Sequence, residues 1–265
     1  MGTTGWDHAV FRAINILLIV FLLLPIGITV MFAFNSANFI TFPPAGFSIR
    51  WFQKFFNSPD FMNAFALSLK LATMTVALAT LIGTMAALAI GRGRIPGAGF
   101  LSALFLSPLM LPAILTGLAL FQFYVILDIG RTYEGLLVGH VVIAIPYVVR
   151  TVTAVLQNFD MSLEEAARNL GAGPLSTFWH VTLPLTRPGI IAGSIFAFIV
   201  SFDQFPVSLF LVQPGFVTLP IQLFNYLKYT FDPTVAAAST VSIAMSIAVV
   251  LVVERTIGLQ EYVKL

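Results

Sequence analysis

Residues 157–188 read QNFDMSLEEAARNLGAGPLSTFWHVTLPLTRP, a polar interval in a chain that is otherwise mostly apolar. Ser162 and Glu165 have the spacing of a capping box, in which two side chains satisfy backbone donors at a helix start. Leu163, Ala166, Ala167 and Leu170 then recur at i, i+3, i+4 and i+7, which predicts an apolar stripe on one helical face. Glu164, Arg168 and Asn169 lie off that stripe. Gly171 follows the last periodic residue, where a helix commonly ends in a left-handed turn. Pro174 suits the first position of a second short helix, in which Leu175, Phe178, Trp179 and Thr182 share a face. Pro184 is expected to stop that helix and Pro188 to open the next long apolar segment. The interval thus predicts a bent helix–turn–helix elbow joined rigidly to that segment.

Outward from the elbow, the chain has the composition of an integral membrane protein. Of 265 residues, 58% are apolar and 9% charged, and the mean hydropathy is +0.97. Soluble domains carry roughly a quarter charged residues. A net charge of +2 without clustered basic residues argues against nucleic acid as a partner. Zero cysteines exclude disulfides and a cysteine nucleophile, and three scattered histidines (His8, His140, His180) make no metal-binding constellation.

A bilayer-spanning helix needs about 20 mostly apolar residues. Six such stretches are expected, at about 10–34, 63–90, 100–127, 135–156, 189–212 and 234–253, with the elbow as a cytoplasmic loop over 157–188. The fold class is therefore all-α integral membrane, and residues 1–265 read as a single transmembrane domain. The first stretch is too long for a signal-peptide core and lacks a small-x-small cleavage site, so it reads as an uncleaved span. Pro25, Pro108, Pro112, Pro146 and Pro206 fall inside these stretches. With both termini in the cytoplasm, Arg12, Arg92, Arg94, Arg150, Arg168, Arg187, Arg255 and Lys264 lie inside. Arg50, Lys54, Arg131 and Lys228 lie outside, in keeping with the positive-inside tendency. In the outer loop, Ile49, Phe52, Phe55 and Phe56 share a helical face, predicting a short interfacial helix with Trp51 as its anchor.

Physical chemistry leaves two readings of the elbow open: an amphipathic hairpin resting on lipid, or a knob whose apolar stripe docks into a groove on a soluble partner. Here the sequence resembles a known family. Glu165-Ala166-Ala167, Gly171 four residues after the last alanine, and Leu183-Pro184 downstream are similar to the EAA loop of ATP-binding cassette importer permeases. The resemblance extends to GFSIRW (46–51), SFDQFPVSLFL (201–211) and TLPIQLFNYLKYTFDPTVAAAST (218–240). These segments look like the smaller permease subunit of the polyamine (spermidine/putrescine) type, whose members more often carry Glu or Asp where this chain has Gln204.

The resemblance implies that Leu163, Glu164, Glu165, Ala166, Ala167 and Arg168 enter a groove on an ATPase subunit. Gly171 would then permit the reversal, and Leu175 with Phe178 would anchor the elbow to its own transmembrane helices. It implies as partners two cytoplasmic ATP-binding cassette ATPases, a second homologous permease in a heterodimer, and an extracytoplasmic binding protein. The location implied is the bacterial inner membrane. No GxxxxGK[ST] sequence occurs, so ATP and Mg are expected on the partner ATPase, with no cofactor, metal or catalytic residue in this chain.

Polar groups at membrane depth are costly and so mark pathway candidates. Asp203 leads, about 22 Å beyond Pro188 along a helix rising about 1.5 Å per residue. Gln204 beside it, Phe202 and Phe205 as a gate, and Gln122, Tyr124 and Tyr147 on other spans complete the expected lining. His140 reads as an interhelical hydrogen-bonding group, Lys70 as a snorkelling residue, and Asp232-Pro233 as a turn ahead of the last span. The rival class, a self-contained secondary transporter or channel, normally shows internal repeats and coupling carboxylates, which are not evident here.

Overall fold

The computed structural model describes residues 5–91 and 96–257. Arg92, Arg94 and Lys264, counted above for the inner face, lie outside the described residues. The chain runs α1 (Gly5–Ala33), α2 (Arg50–Phe56), α3 (Pro59–Gly91), α4 (Ala98–Met110), α5 (Ala113–Ile126) and α6 (Tyr133–Gln157). It continues through α7 (Ser162–Asn169), α8 (Pro174–Thr177), a π-turn (Phe178–Thr182), α9 (Leu183–Phe202), α10 (Ser208–Leu211), α11 (Leu219–Leu227) and α12 (Thr234–Ile257). Extended pairing among the described residues is limited to two isolated bridges, Asn35–Phe47 and Gln213–Phe216. Two compact units result, one of residues 1–62 with 223–245, the other of 63–222 with 246–265.

Five continuous helical segments are long and apolar enough to span a bilayer: Val10–Ala33, Pro59–Gly91, Tyr133–Gln157, Pro174–Phe202 and Thr234–Arg255. The stretch expected over 100–127 is instead α4 and α5, bent by 108° at the join. The cause is local. Leu111 precedes a proline and is pushed to an extended conformation (φ −93°, ψ 141°), and Pro112 follows at φ −56°, ψ 126°. Pro108, inside α4, lacks the amide that would bond the carbonyl of Leu104, and the Ser107 hydroxyl donates to that carbonyl at 2.8 Å.

The fifth stretch also departs from expectation. Pro184 does not stop a helix; α8, the π-turn and α9 run on without interruption from Pro174 to Phe202. A proline ring clashes with the carbonyl four residues back in a regular α-turn. The wider π-turn ends where Leu183 N–H donates to Phe178 O, which accommodates the ring at Pro184. At its other end α9 stops at Phe202, ten residues short of the expected boundary, and the chain resumes helix only at Ser208.

In the second unit α6 is the central element. Leu136, His140, Ala144, Val148 and Val152 are buried along it at helical spacing. Glycines set its closest contacts. A Cβ on Gly193 of α9 would stand 2.6 Å from Thr151 Oγ1 and 2.8 Å from Val148 Cα. One on Gly189 would stand 2.8 Å from the Thr151 carbonyl oxygen. Small residues let helix backbones approach where lipid supplies no hydrophobic drive between helices.

In the first unit, the short helix α2 is rotated from its expected orientation. Trp51 and Phe55 are the buried pair, whereas Ile49 and Phe56 are exposed. Trp51, expected at the membrane interface, is only 5% exposed and its Nε1 donates to the Asn35 carbonyl at 2.7 Å. That buried acceptor needs a donor, which an indole supplies and a phenyl ring does not. Asn35 itself organises the loop by accepting from the N–H groups of Ala37 (3.0 Å) and Ala45 (3.2 Å).

Replacing Gly193 by Leu should force α6 and α9 apart, at a cost of about 1–3 kcal/mol for overpacking. Thermal unfolding of the purified protein in detergent should show a lowered midpoint, and an unchanged midpoint would contradict this packing.

Candidate functional site

The elbow begins at an Asx-type turn: Asp160 Oδ1 accepts from Ser162 N–H at 2.9 Å. Hydrogen bonding from Ser162 holds the Asp160 carboxyl below its ordinary range. The expected capping box does not form, because Ser162 already lies inside the helix and the preceding Met161 makes no side-chain cap. The sequence signal for the true start was the aspartate two residues upstream. At the other end the reading of Gly171 holds. Its φ is +89°, Gly171 N–H donates to Arg168 O (2.9 Å) and Ala172 N–H to Ala167 O (3.0 Å). This paired arrangement closes a helix on a left-handed residue.

Between those ends the eight-residue helix α7 turns its apolar stripe outward. Leu163, Ala166 and Leu170 are exposed, Leu170 at 89%, and Ala167 is half-buried. Glu165 and Arg168 are also exposed. Glu164 behaves differently. Expected among the docking residues, it is 2% exposed within its own chain, where its carboxylate accepts from the Thr182 hydroxyl. Arg168 Nη2 lies 3.3 Å from its other oxygen. A buried carboxylate is tolerable only when hydrogen-bonded, and these partners meet that requirement. Thr182 closes the π-turn, so this pair ties α7 to the helix that continues as a membrane span. The two residues lie 18 apart on different elements, across the reversal at Gly171, which is why the sequence did not reveal the pair.

The second arm differs from expectation in one anchor. Leu175 is 71% exposed and so belongs to the outer surface, while Phe178 is half-buried and Thr177 is fully buried. Thr177 Oγ1 donates to the Gly173 carbonyl at 3.1 Å.

The expected pathway residues divide. Asp203 caps the end of α9, exposed, with its N–H donating to the Ile199 carbonyl. Gln204 is buried and accepts the Ser208 hydroxyl on its backbone carbonyl at 2.6 Å. Phe202 is buried, with ring centroids 5.7 Å from Phe198 and 5.9 Å from Phe65, which makes it packing rather than an open gate. Phe205 is half-buried. Tyr124 is removed from any pathway: it sits in the core, with its hydroxyl donating to the Gly135 carbonyl at 2.9 Å. Gln122 is exposed, and Tyr147 is half-buried, stacked on Phe196 at 6.2 Å. Asp203, Gln204 and Phe205 therefore come together at one helix break, while Tyr124 bonds to the Gly135 carbonyl and Tyr147 stacks on Phe196.

His140 fulfils its interhelical expectation, and Lys70 reaches an aromatic face, its Nζ lying 4.9 Å from the Tyr133 ring centre. In the first unit, Asp232 forms the expected turn, accepting from Thr234 N–H at 3.0 Å. It also takes the Tyr226 hydroxyl and the ammonium of Lys54, the latter 178 residues away in sequence. Hydrogen bonds to Asp232 and Tyr226 raise the Lys54 pKa. Burial works against ionisation of Asp232, yet the donors Lys54, Thr234 and Tyr226 hold its carboxyl below the ordinary range. A cleft of about 680 Å³ beside this pair is lined by Arg50, Trp51, Lys54 and Asp232, among others. Among the described residues no cluster of His, Asp and Glu is arranged to hold a metal ion.

Comparison with known proteins bears on what a bent elbow between two long apolar helices does. The family described as "Binding-protein-dependent transport system inner membrane component" matches residues 79–261. The spermidine/putrescine transport system permease protein PotC of Escherichia coli strain K12 is 32% identical over 232 residues, covering 87% of each chain. The putrescine transport system permease protein PotI of the same strain is 35% identical over 227 residues, covering 83% of this chain and 80% of that one. Among solved structures, a bacterial ABC transporter involved in import of the acidic polysaccharide alginate superposes with a TM-score of 0.69. It has 18% identity and 99% coverage of both chains. The MetNI methionine ABC transporter in an inward-facing form gives 0.60 at 20% identity, covering 74% of this chain and 94% of that one. The structural likenesses fix the fold, and the sequence match over most of the chain fixes the kinship. The chain belongs to the family of binding-protein-dependent transport system inner membrane components, as a permease subunit of an ATP-binding cassette importer.

Proposed function

We propose that this permease forms half of a pathway for a small amine-bearing solute of the polyamine class and is driven through α7 by a separate ATPase. The observation that carries the reading is the inverted burial of α7. Leu163 and Leu170 face outward while Glu164 is locked inside. A soluble helix folding for its own sake would bury its leucines, and an apolar face left out on a rigid support is a docking surface. Glu165, Ala166, Ala167 and Arg168 complete that face, and the exposed Leu175 extends it onto the second arm.

On this reading two ATPase subunits bind ATP and Mg, close on each other, and carry two elbows with them. The second elbow belongs to a homologous, non-identical permease. Nucleotide favours one state of the bundle only in so far as it binds that state better. Both termini and the elbow face the cytoplasm, and a soluble binding protein delivers solute at the outer side of a bacterial inner membrane. Asp203 and its neighbour Phe205 at the end of α9 are the pathway groups of this half. An exposed carboxylate at a helix break suits an alkylammonium, and the relatives named for spermidine and putrescine support that class.

Three outcomes test this. Leu170→Asp should weaken recovery of the ATPase subunit in affinity co-purification, by about 2 kcal/mol or roughly 30-fold if the leucine is an anchoring residue. Normal recovery would remove the docking face. Gly171→Ile places a β-branched side chain at φ +89°, a conformation such residues avoid. In proteoliposomes the variant importer should retain ATP hydrolysis and lose most solute uptake, whereas normal coupled uptake would refute the lever. Finally, putrescine or spermidine should raise the melting midpoint of the cognate binding protein, and a response confined to anions would overturn the substrate class.

A further inference from the structure

A single imidazole spans the break in the helix that carries Asp203. His140, on α6, is 1% exposed, with Nδ1 2.9 Å from Ser201 Oγ and Nε2 2.9 Å from Ser208 Oγ. Ser201 belongs to the last turn of α9 and Ser208 is the first residue of α10, with the non-helical residues 203–207 between them.

The proton positions come from counting donors. Ser208 Oγ donates to the Gln204 carbonyl at 2.6 Å, and a hydroxyl has one proton to give. Toward His140 it therefore accepts, so the imidazole proton is on Nε2. Nδ1 is left with its lone pair and takes the proton of Ser201. The result is a one-directional chain: Ser201 to His140, His140 to Ser208, Ser208 to the Gln204 carbonyl. It needs a neutral ring that accepts on one side and donates on the other.

The break is also seated on bare backbone. A Cβ on Gly139 would stand 2.6 Å from Leu211 Cδ1, and one on Gly117 of α5 would stand 2.9 Å from Val207 Cα and 3.1 Å from the Pro206 carbonyl oxygen. Residues 206–211 are thus held against α5 and α6. Asp203 is the exposed charged residue of the segment. Non-helical backbone at membrane depth persists only where protein satisfies its polar groups or where it lines a water-filled cavity. The histidine chain supplies the first condition, and Asp203 stands exposed beside it.

We infer that His140 is a positioning residue for solute passage: by bonding both edges of the break it fixes the backbone that presents Asp203. This rests on the reading of Asp203 as a pathway group. No contact of His140 with solute is required.

The test is a double-mutant comparison in the complete importer reconstituted in proteoliposomes, with labelled putrescine as the probe and assembly followed by size-exclusion chromatography. His140→Leu should assemble and lose about tenfold or more of its uptake, the scale set by buried groups left without partners. His140→Gln, with a donor and an acceptor on one side chain, should recover part of that loss. In an Asp203→Asn background, already impaired, His140→Leu should add little, because both changes act on one group. Multiplicative losses, or normal uptake by His140→Leu, would overturn the positioning role alone. Full uptake by Asp203→Asn would overturn the pathway reading and this inference with it. Should His140→Leu fail to assemble, His140→Gln decides, since its partial loss must vanish in the Asp203→Asn background.

Discussion

The buried carboxylate of Glu164, accepting the hydroxyl of Thr182, is the interaction on which the elbow depends. It joins a two-turn helix, too short to be stable in water by itself, to the start of a continuous membrane-spanning segment. The left-handed closure at Gly171 sets the angle between the arms, and the carboxylate fixes the rotation of α7 about its own axis. That rotation decides which face is offered. With Glu164 inside, Leu163 and Leu170 are outside. The shape of the elbow thus rests on the buried Glu164 carboxylate, with Thr182 and Arg168 as its partners, and on the left-handed turn at Gly171.

Much of this was legible because the membrane imposes a simple pattern. Apolar runs of about 20 residues located the spans Val10–Ala33, Pro59–Gly91, Tyr133–Gln157 and Thr234–Arg255 to within a few residues, and Gly171 and Asp232 announced their turns through backbone preferences that act locally. What escaped was set by tertiary partners. Pro184 reads as a stop, yet a π-turn just ahead of it accommodates the ring. Trp51 reads as an interfacial anchor, yet a loop carbonyl 16 residues away takes its indole proton and draws it into the core. Tyr124 reads as a polar group on a pathway, yet its hydroxyl is consumed by the Gly135 carbonyl. In each case the residue type was read correctly and the partner was invisible, because nothing in a single sequence records who is opposite whom.

Two of the departures from regular helix are handled alike. Where a proline or a chain break frees a carbonyl in the bundle, a nearby hydroxyl takes it up: Ser107 at Leu104 and Ser208 at Gln204. Lipid offers no replacement donor, so a freed carbonyl needs one from the protein. The break after α9 is of this kind, whereas the 108° bend between α4 and α5 falls at Leu111-Pro112 and follows from the conformation a proline imposes on its predecessor.

The central claim, that the outward apolar face of α7 is covered by a motor protein rather than by lipid, is open to one direct measurement. The chain has no cysteine, so a Leu163→Cys variant carries a single reactive thiol. Labelling by a membrane-impermeant maleimide would be followed in inside-out vesicles, with and without the ATPase subunits. The account predicts rapid labelling of the permease alone and strong protection once the ATPase is bound. Equal labelling in both preparations, or protection by the bilayer in the absence of the ATPase, would contradict it.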